Sequence, residues 1–324
     1  MTNASVRAVV AKAWGGPEGI DLVDVESRPP GPGEVVIAVR ATGLSPFDLK
    51  RAQGIVRLGD ATPPLRLGNE AAGVVAEVGS GAVGFDGRSL VVGDEVFGHW
   101  LEGAQASRLT VPASMLLLKP ASLGFAEAAG LLGSGTTAVH ALEAARVEAG
   151  DLVLVHGASG AVGGMVAQLA ILRGARVIGT AAPQRHARLR ELGLEPVAYG
   201  PGLEDRVRAL VPGGVSAAID TAGTDEALGV SAVLVTEPRR IVSIAAYQSV
   251  LAVGGQALGP GPETERIRIA ARSELTRLAV AGRLRVEIAT TFPLARARAA
   301  YELLATGHAG GKVLLTVEAA YSTN

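Results

Sequence analysis

The segment Leu152 to Thr180, LVLVHGASGAVGGMVAQLAILRGARVIGT, limits what this chain can fold into more than any other stretch. Leu152–Val155 is a short apolar run, the pattern of a buried strand. A glycine-rich turn follows. Apolar residues then recur at helical spacing from Ala161 to Arg173, Gly174 ends the helix, and a second apolar strand reaches Thr180. Strand, glycine turn, helix and strand in that order form the unit with which a parallel sheet binds a dinucleotide. The fingerprint reads Ala158-x-Gly160-x-x-Gly163, with alanine where the commoner pattern opens on glycine. A side chain at position 160 would keep a pyrophosphate off the main chain, and one at position 163 would hold the helix away from the strand. The helix N-terminus adds free N–H groups and a partial positive charge. Gly157, Ala158, Ser159, Gly160, Ala161, Val162 and Gly163 are therefore the predicted phosphate cradle. An ordinary glycine-rich turn without a ligand is the competing reading.

The end of the second strand selects the cofactor. A site for NAD places Asp or Glu about 20 residues after the glycines, where it bonds the ribose 2′-hydroxyl. Here the order is Thr180-Ala181-Ala182-Pro183-Gln184-Arg185-His186, with no carboxylate. A guanidinium holds a 2′-phosphate that a carboxylate would repel. Thr180, Ala181, Ala182, Gln184, Arg185 and His186 thus predict NADPH. The alternative for Arg185 is the start of a solvated helix.

Composition excludes several function classes. A formal net charge of -1 gives no footprint for nucleic acid or an anionic membrane. No apolar run approaches the roughly 18 residues of a membrane span. The start, MTNASVRAVVAKAW, lacks the basic-then-apolar order of a secretory signal, so a cytoplasmic protein is expected. Without cysteine there are no disulfides, thiolate nucleophiles or cysteine-held metals. Aromatic residues are only 3% of the chain, so its cores must be built from Val, Leu, Ile and Ala.

Two patterns divide the sequence. Short β-type runs punctuated by Gly and Pro recur at Val6–Ala11, Ile20–Val25, Glu34–Ala41, Ala72–Val78, Asp94–Phe97 and Arg108–Val111, which predicts a mostly antiparallel β domain. From about Ala126 helices alternate with strands. Helices are expected at Ala126–Leu132, Thr136–Ala145, Ala161–Arg173, Gln184–Leu192, Leu203–Val211 and Thr224–Val235. Strands are expected at Leu152–Val155, Arg176–Gly179, Pro196–Ala198, Ala217–Asp220 and Arg240–Ile244, with Val250–Leu258 as one more. Such alternation means a doubly wound parallel sheet. A helix at Glu263–Ala281 leads back toward the first domain, which Ala295–Leu304 and Lys312–Val317 complete. The expected division is 1–119, 120–258 and 259–324.

Spaced motifs give the whole chain a resemblance. Gly43-Leu44-Ser45-Pro46-Phe47-Asp48, Leu67-Gly68-Asn69-Glu70-Ala71-Ala72-Gly73, Val92-Gly93-Asp94-Glu95-Val96 and Gly310-Gly311-Lys312-Val313 resemble the medium-chain dehydrogenase/reductase superfamily. HGASGAVGG and the closing GHAGGKVLLTV are similar to its zinc-free quinone oxidoreductase (zeta-crystallin-like) group. The resemblance implies an α/β protein, a GroES-like mostly β catalytic domain plus a Rossmann dinucleotide domain. Zinc-dependent members carry cysteines, and a histidine where Asn69 stands. This chain has neither, and its histidines are scattered, so no metal is assigned.

Without a Lewis acid, hydride still adds to an acceptor whose incoming charge delocalises onto a carbonyl oxygen. The resemblance therefore implies an NADPH-dependent, zinc-free reductase of small-molecule quinones or α,β-unsaturated carbonyls. The runner-up is an enoyl reductase of polyketide or fatty-acyl intermediates. A different class, an NADPH-binding redox sensor or structural protein with little turnover, stays open because no strong proton donor stands out. The same resemblance implies that Ser45, Phe47 and Asp48 line the catalytic site near the nicotinamide. Ser45 either donates a hydrogen bond there or caps a turn, and Phe47 either shapes the pocket or packs in the core. Asp48 is read as a structural acceptor rather than an acid, and Lys50 faces the entrance or bulk water. Thr137 is expected at the cofactor, with helix N-capping as its alternative. Thr221, Ile244 and Ala245 follow predicted strands, where open α/β sheets bind ligands. Tyr199 is expected at the adenosine ribose or phosphate. Lys312 is expected at the cofactor or in a surface ion pair. Glu70 is expected to be structural, held by hydrogen bonds or an arginine. Relatives dimerise through sheet edges, so a homodimer joined at Val250–Leu258 is expected.

Overall fold

The computed structural model describes residues 5–318. Residues 1–4 of the segment read against a secretory signal, and residues 319–324 of the expected last segment, lie outside the described residues. The described residues form two compact units, residues 5–133 with 288–318, and residues 134–287.

The first unit is GroES-like and β-rich. A three-stranded antiparallel sheet runs in the order Ile20–Glu26, Ser5–Ala11, Leu65–Arg66. A seven-stranded sheet follows the order Ile288–Pro293, Lys312–Thr316, Glu34–Gly43, Glu70–Val78, Glu95–His99, Leu116–Leu118, with Arg108–Pro112 also paired to Glu34–Gly43. Alternation in Glu34–Gly43 sends Val35, Ile37 and Val39 into one core with Val75, Val96, Leu109 and Leu116. A second core gathers Val9, Ile20, Leu44, Leu67 and Leu315 around Tyr301. Tyr301 is wholly buried, and its hydroxyl donates to Gln105 Oε1 at 2.8 Å, so its polar end is satisfied. The strands Leu116–Leu118 and Ile288–Pro293 escape sequence reading. The first is only three leucines long, and the second shows no clean alternation.

The second unit is a Rossmann-type sheet of six parallel strands in the order Glu195–Val197, Arg176–Thr180, Leu152–His156, Ala217–Asp220, Ile241–Ser243, Gln256–Ala257. The strand order reverses between Leu152–His156 and Ala217–Asp220, and in such sheets ligands bind beyond the strand C-termini at that point. Leu154, Ile178, Ala218 and Ile241 are fully buried in its core.

Three expectations need correction. Val250–Leu258 is not a strand. A helix, Tyr247–Ala252, buries Val250, the chain turns at Gly254 (φ +79°), and only Gln256–Ala257 pairs with the sheet. The two helices expected around Ser134 are one, Phe125–Ala144. Its Gly133 does not break it, because the missing side chain makes room for Glu70, whose Oε2 would lie 2.5 Å from an added Cβ. Thr136 and Thr137 therefore sit mid-helix, and Thr137 is no N-cap. Finally, the Pro262–Val280 helix belongs to the second compact unit.

Candidate functional site

The phosphate-cradle expectation falls on the turn after Leu152–His156. Gly157 takes φ +74°, a left-handed conformation that favours glycine. The tight-turn residue is thus Gly157, which corrects the fingerprint to Gly157-x-x-Gly160-x-x-Gly163. Ala158 instead packs inward, fully buried, and its Cβ lies 2.7 Å from where a Cβ on Gly179 would stand. Gly157 N donates to Thr180 Oγ1 at 3.1 Å and Ala158 N to Thr180 O at 3.0 Å, so Thr180 clamps the turn. The helix Ala161–Leu172 begins at Gly160 with no side-chain cap, leaving its first amides for a ligand or water. An added Cβ at Gly163 would lie 2.2 Å from Gly157 O, so glycine there is required by packing. At Gly160 it would meet only Gly157 O, at 3.2 Å. The backbone therefore closes tightly at Gly163 and leaves Gly160 open apart from that one carbonyl oxygen.

The neighbouring strand ends are held by a network that sequence reading missed. Asp220 is fully buried, and its Oδ1 accepts from Ala222 N at 2.9 Å and Gly223 N at 2.8 Å. Its Oδ2 accepts from Ser243 Oγ at 2.6 Å, and that hydroxyl oxygen accepts from Ala245 N and Ala246 N. One carboxylate thus shapes the turns that carry Thr221 and Ile244–Ala245. Thr221 Oγ1 donates to His156 O at 2.6 Å. His156 Nε2 lies 3.1 Å from Ser231 Oγ, whose own proton goes to Ala227 O. The geometry therefore puts the imidazole proton on Nε2. Burial pushes the His156 pKa down to about 4, against the pull of Asp220 and Glu226, so the ring is neutral near pH 7.

At the end of Arg176–Thr180, Ala181 is buried and Pro183–Arg185 makes one short helical turn carrying Gln184 and Arg185. His186 Nε2 is 3.1 Å from Ala181 O. Tyr199, 48% exposed, stands on a loop fixed by Arg206, whose guanidinium donates to Ala198 O, Gly200 O and Pro201 O.

In the first unit, Ser45 is the N-cap of the helix Pro46–Ala52 and forms a reciprocal capping box with Asp48. Asp48 Oδ2 accepts from Ser45 N at 2.9 Å and Ser45 Oγ at 2.7 Å. Its Oδ1 accepts from Asn69 Nδ2 at 2.6 Å and Gly68 N at 3.2 Å. Burial pushes the Asp48 pKa up, opposed by the donors from Ser45 and the charge of Lys312. Phe47 is half-buried beside this knot. Glu70 pairs with Lys312 rather than with an arginine, and the pair is buried rather than at the surface. Glu70 Oε2 also accepts from Gly133 N at 3.0 Å. Among the described residues, no group of three or more His, Asp or Glu side chains is placed to hold a metal ion.

Residues 31–139 match the alcohol dehydrogenase GroES-like domain family, and residues 192–315 match the zinc-binding dehydrogenase family. The synaptic vesicle membrane protein VAT-1 homolog of Rattus norvegicus is 36% identical over 236 residues. That match covers 69% of this chain and 56% of the rat protein, so the chain spans little more than half of this relative. No helix among the described residues is long and apolar enough to cross a membrane. The quinone oxidoreductase from Coxiella burnetii superposes with a TM-score of 0.82 at 29% identity, covering 97% of this chain and all of the other. A mycobacterial protein solved in complex with NADPH superposes with a TM-score of 0.83 at 28% identity, covering 96% of this chain and 99% of the other.

Proposed function

This chain belongs to the medium-chain dehydrogenase/reductase superfamily, and on that premise we propose that it is an NADPH-dependent reductase of quinones or α,β-unsaturated carbonyls. The observation that carries the reading is the uncapped helix start at Gly160, next to a turn whose glycines leave room for a diphosphate. Bound there, NADPH supplies a hydride equivalent from its dihydronicotinamide ring. The residues of the chain bind and orient. Amides of the Gly157–Gly163 turn and the first turn of the Ala161–Leu172 helix hold the diphosphate, with Ser159, Ala161 and Val162 contributing main chain. Arg185, flanked by Gln184 and His186, meets the 2′-phosphate, and Tyr199 the adenosine ribose. Thr137, Thr221, Ile244 and Ala245 serve the remainder of the cofactor.

Ser45, Phe47 and Asp48 shape the acceptor side of the reaction. The Ser45 proton is engaged by Asp48, so Ser45 holds the turn and solvent supplies the proton. One acceptor takes up one hydride and one proton and leaves NADP⁺, which balances the reaction. Lys312 is committed to Glu70, and its reach toward the cofactor needs that pair to open. A homodimer joined at the Gln256–Ala257 sheet edge, and cytoplasmic residence, belong to the same reading.

The test is oxidation of NADPH and of NADH with 1,4-naphthoquinone, an aliphatic enal and an enoyl thioester, in wild type and Arg185→Ala. The reading expects turnover with NADPH preferred, and a KM for NADPH raised about tenfold in the variant. Tight NADPH binding with no turnover on any acceptor would replace it with the sensor reading. A monomer in gel filtration would remove the dimer.

A further inference from the structure

A cavity of about 820 Å³ lies wholly within the second unit. Its walls are the end of the helix Phe125–Ala144, the edge strand Gln256–Ala257 with the loop to Pro260, and the start of the helix Pro262–Val280. That volume is in the range of small-molecule sites. None of the residues predicted for the cofactor lines it, and its edge strand stands three places from Leu152–His156 in the sheet order.

The charges around this cavity lean to one sign. Glu143 and Glu263 line it, with side chains 51% and 68% exposed. Glu143 and Ala144 also end a 20-residue helix, and the last carbonyls of a helix carry partial negative charge. The facing helix start would offset that charge, but its first turn holds Glu263 and Glu265. Among the described residues of the lining, Arg266 is the one Lys or Arg, and its Nε and Nη2 both donate to Glu263. Glu143 accepts from Arg173 Nη2 at 2.6 Å, which leaves it further lone pairs.

His140 lies in the same wall. It is 7% exposed, and its Nδ1 has no hydrogen-bond partner. A buried polar atom left without a partner costs free energy, so the ring is built for something the chain itself does not supply. Burial, and then the charge of Arg268, push the His140 pKa below its ordinary value, against the pull of Glu263. The imidazole is therefore neutral near pH 7 and offers a lone pair. The strand and loop Gln256–Pro260 bring no charged side chain to it.

We propose that this cavity binds an organic ammonium, a primary amine with an apolar body. The head group, three donors and no acceptor, meets the Glu143 and Glu263 carboxylates and the His140 lone pair. The body lies on Val139, Ile267 and Ala270. A carboxylate head would meet like charge, and a hydroxyl head would gain no charge pairing. The site stands apart from the reductase reading, because a chain without turnover would hold the ammonium equally well.

The test is calorimetric titration with n-hexylamine, n-hexanol and hexanoate, three ligands of one chain length, with NADPH in excess. Hexylamine should bind most tightly and hexanoate least. Glu143→Gln and Glu263→Gln change exposed side chains, and each should weaken hexylamine about threefold, the double variant about tenfold. His140→Leu should weaken it as well, and His140→Gln, which keeps an acceptor, should recover most of the loss. Hexanol binding as tightly as hexylamine, hexanoate binding more tightly, or no heat with hexylamine overturns the proposal. So does an unchanged hexylamine affinity in the double glutamate variant.

Discussion

The Lys312 ammonium pairs with the Glu70 carboxylate in the interior of the first unit, with the two side chains only 4% and 5% exposed. Lys312 opens the returning strand Lys312–Thr316, and Glu70 opens the strand Glu70–Val78. Both flank Glu34–Gly43 in the sheet, so the pair spans three strands. An added Cβ at Gly43, on that middle strand, would lie 2.2 Å from Glu70 Oε1 and 2.8 Å from Lys312 Cε. Glycine at position 43 is thus the room in which the ion pair sits.

Removing one partner strands the other charge in the interior. Lys312→Met should cost about 3 kcal/mol of unfolding free energy, and adding Glu70→Gln to it should restore a good part. Urea unfolding of the single and double variants measures this. If Lys312→Met keeps its stability and loses NADPH affinity, Lys312 serves the cofactor instead.

The two inner glycines of the cradle should separate folding from binding. Gly163→Ala drives a Cβ against the Gly157 carbonyl and should destabilise by about 2–3 kcal/mol. Gly160→Ala meets only Gly157 O at 3.2 Å, so its unfolding free energy should change by less than about 1 kcal/mol. Its NADPH affinity should nevertheless fall at least about tenfold, because the methyl occupies the phosphate space. Denaturation and calorimetric titration of each variant decide the matter. A Gly160→Ala protein that binds like wild type removes the cradle from the proposal.

His156 gives the second unit a pH dependence. Its folded pKa of about 4 lies below the ordinary value of 6.5, so between these values the unfolded chain binds the extra proton. Stability is therefore full above about pH 6.5 and declines as pH falls toward 4, by up to about 3 kcal/mol from this group. His156→Gln, which keeps an N–H donor for Ser231, should flatten that slope. Unfolding free energies at pH 7.5 and 5 in both proteins check the sign and the size.

Ser243→Ala removes the hydroxyl that bridges Asp220 to the amides of Ala245 and Ala246. The loss should be about 2 kcal/mol, since a buried carboxylate loses a donor and two amides lose their acceptor. The Ile244–Ala246 turn should loosen, visible as faster amide exchange there and a raised KM for NADPH. Unaltered exchange at these amides would mean that the strand end, not the hydroxyl, holds the turn.

The strand, glycine turn and helix of residues 152–173 were legible because every signal in them is local. Apolar spacing names the element and glycine marks where the chain turns, and both act within a few residues. The same holds for the strands Ala217–Asp220 and Arg176–Thr180 and for the β runs of the first unit, which the structure reproduces within a few residues. Locality also explains the errors. The helices expected at Ala126–Leu132 and Thr136–Ala145 are one, Phe125–Ala144, in which Gly133 and Gly135 are packing positions beside Glu70 and Leu275. Small residues after Val250 read as an edge strand, although Val250 is drawn into the core as one face of a short helix.

The sequence by itself determined the kind of sheet, the place of the glycine turn and the lack of a carboxylate between Thr180 and His186. Only the tertiary structure decided that Gly157 makes the tight turn and that Asp220 governs two strand ends at once. It alone joined Asp48 to Asn69, Lys312 to Glu70, and Trp100 to Phe47. The physical reason is range. A periodic pattern reports which way side chains point from one stretch of backbone, whereas a buried hydrogen bond or ion pair forms between stretches that meet only after strands have chosen their neighbours. Asp220 and Ser243 are 23 residues apart and are brought within 3 Å by strand pairing, whereas Tyr301 and Gln105 are 196 apart and are brought within 3 Å by packing of the helix Ala297–Ala305 in the first unit.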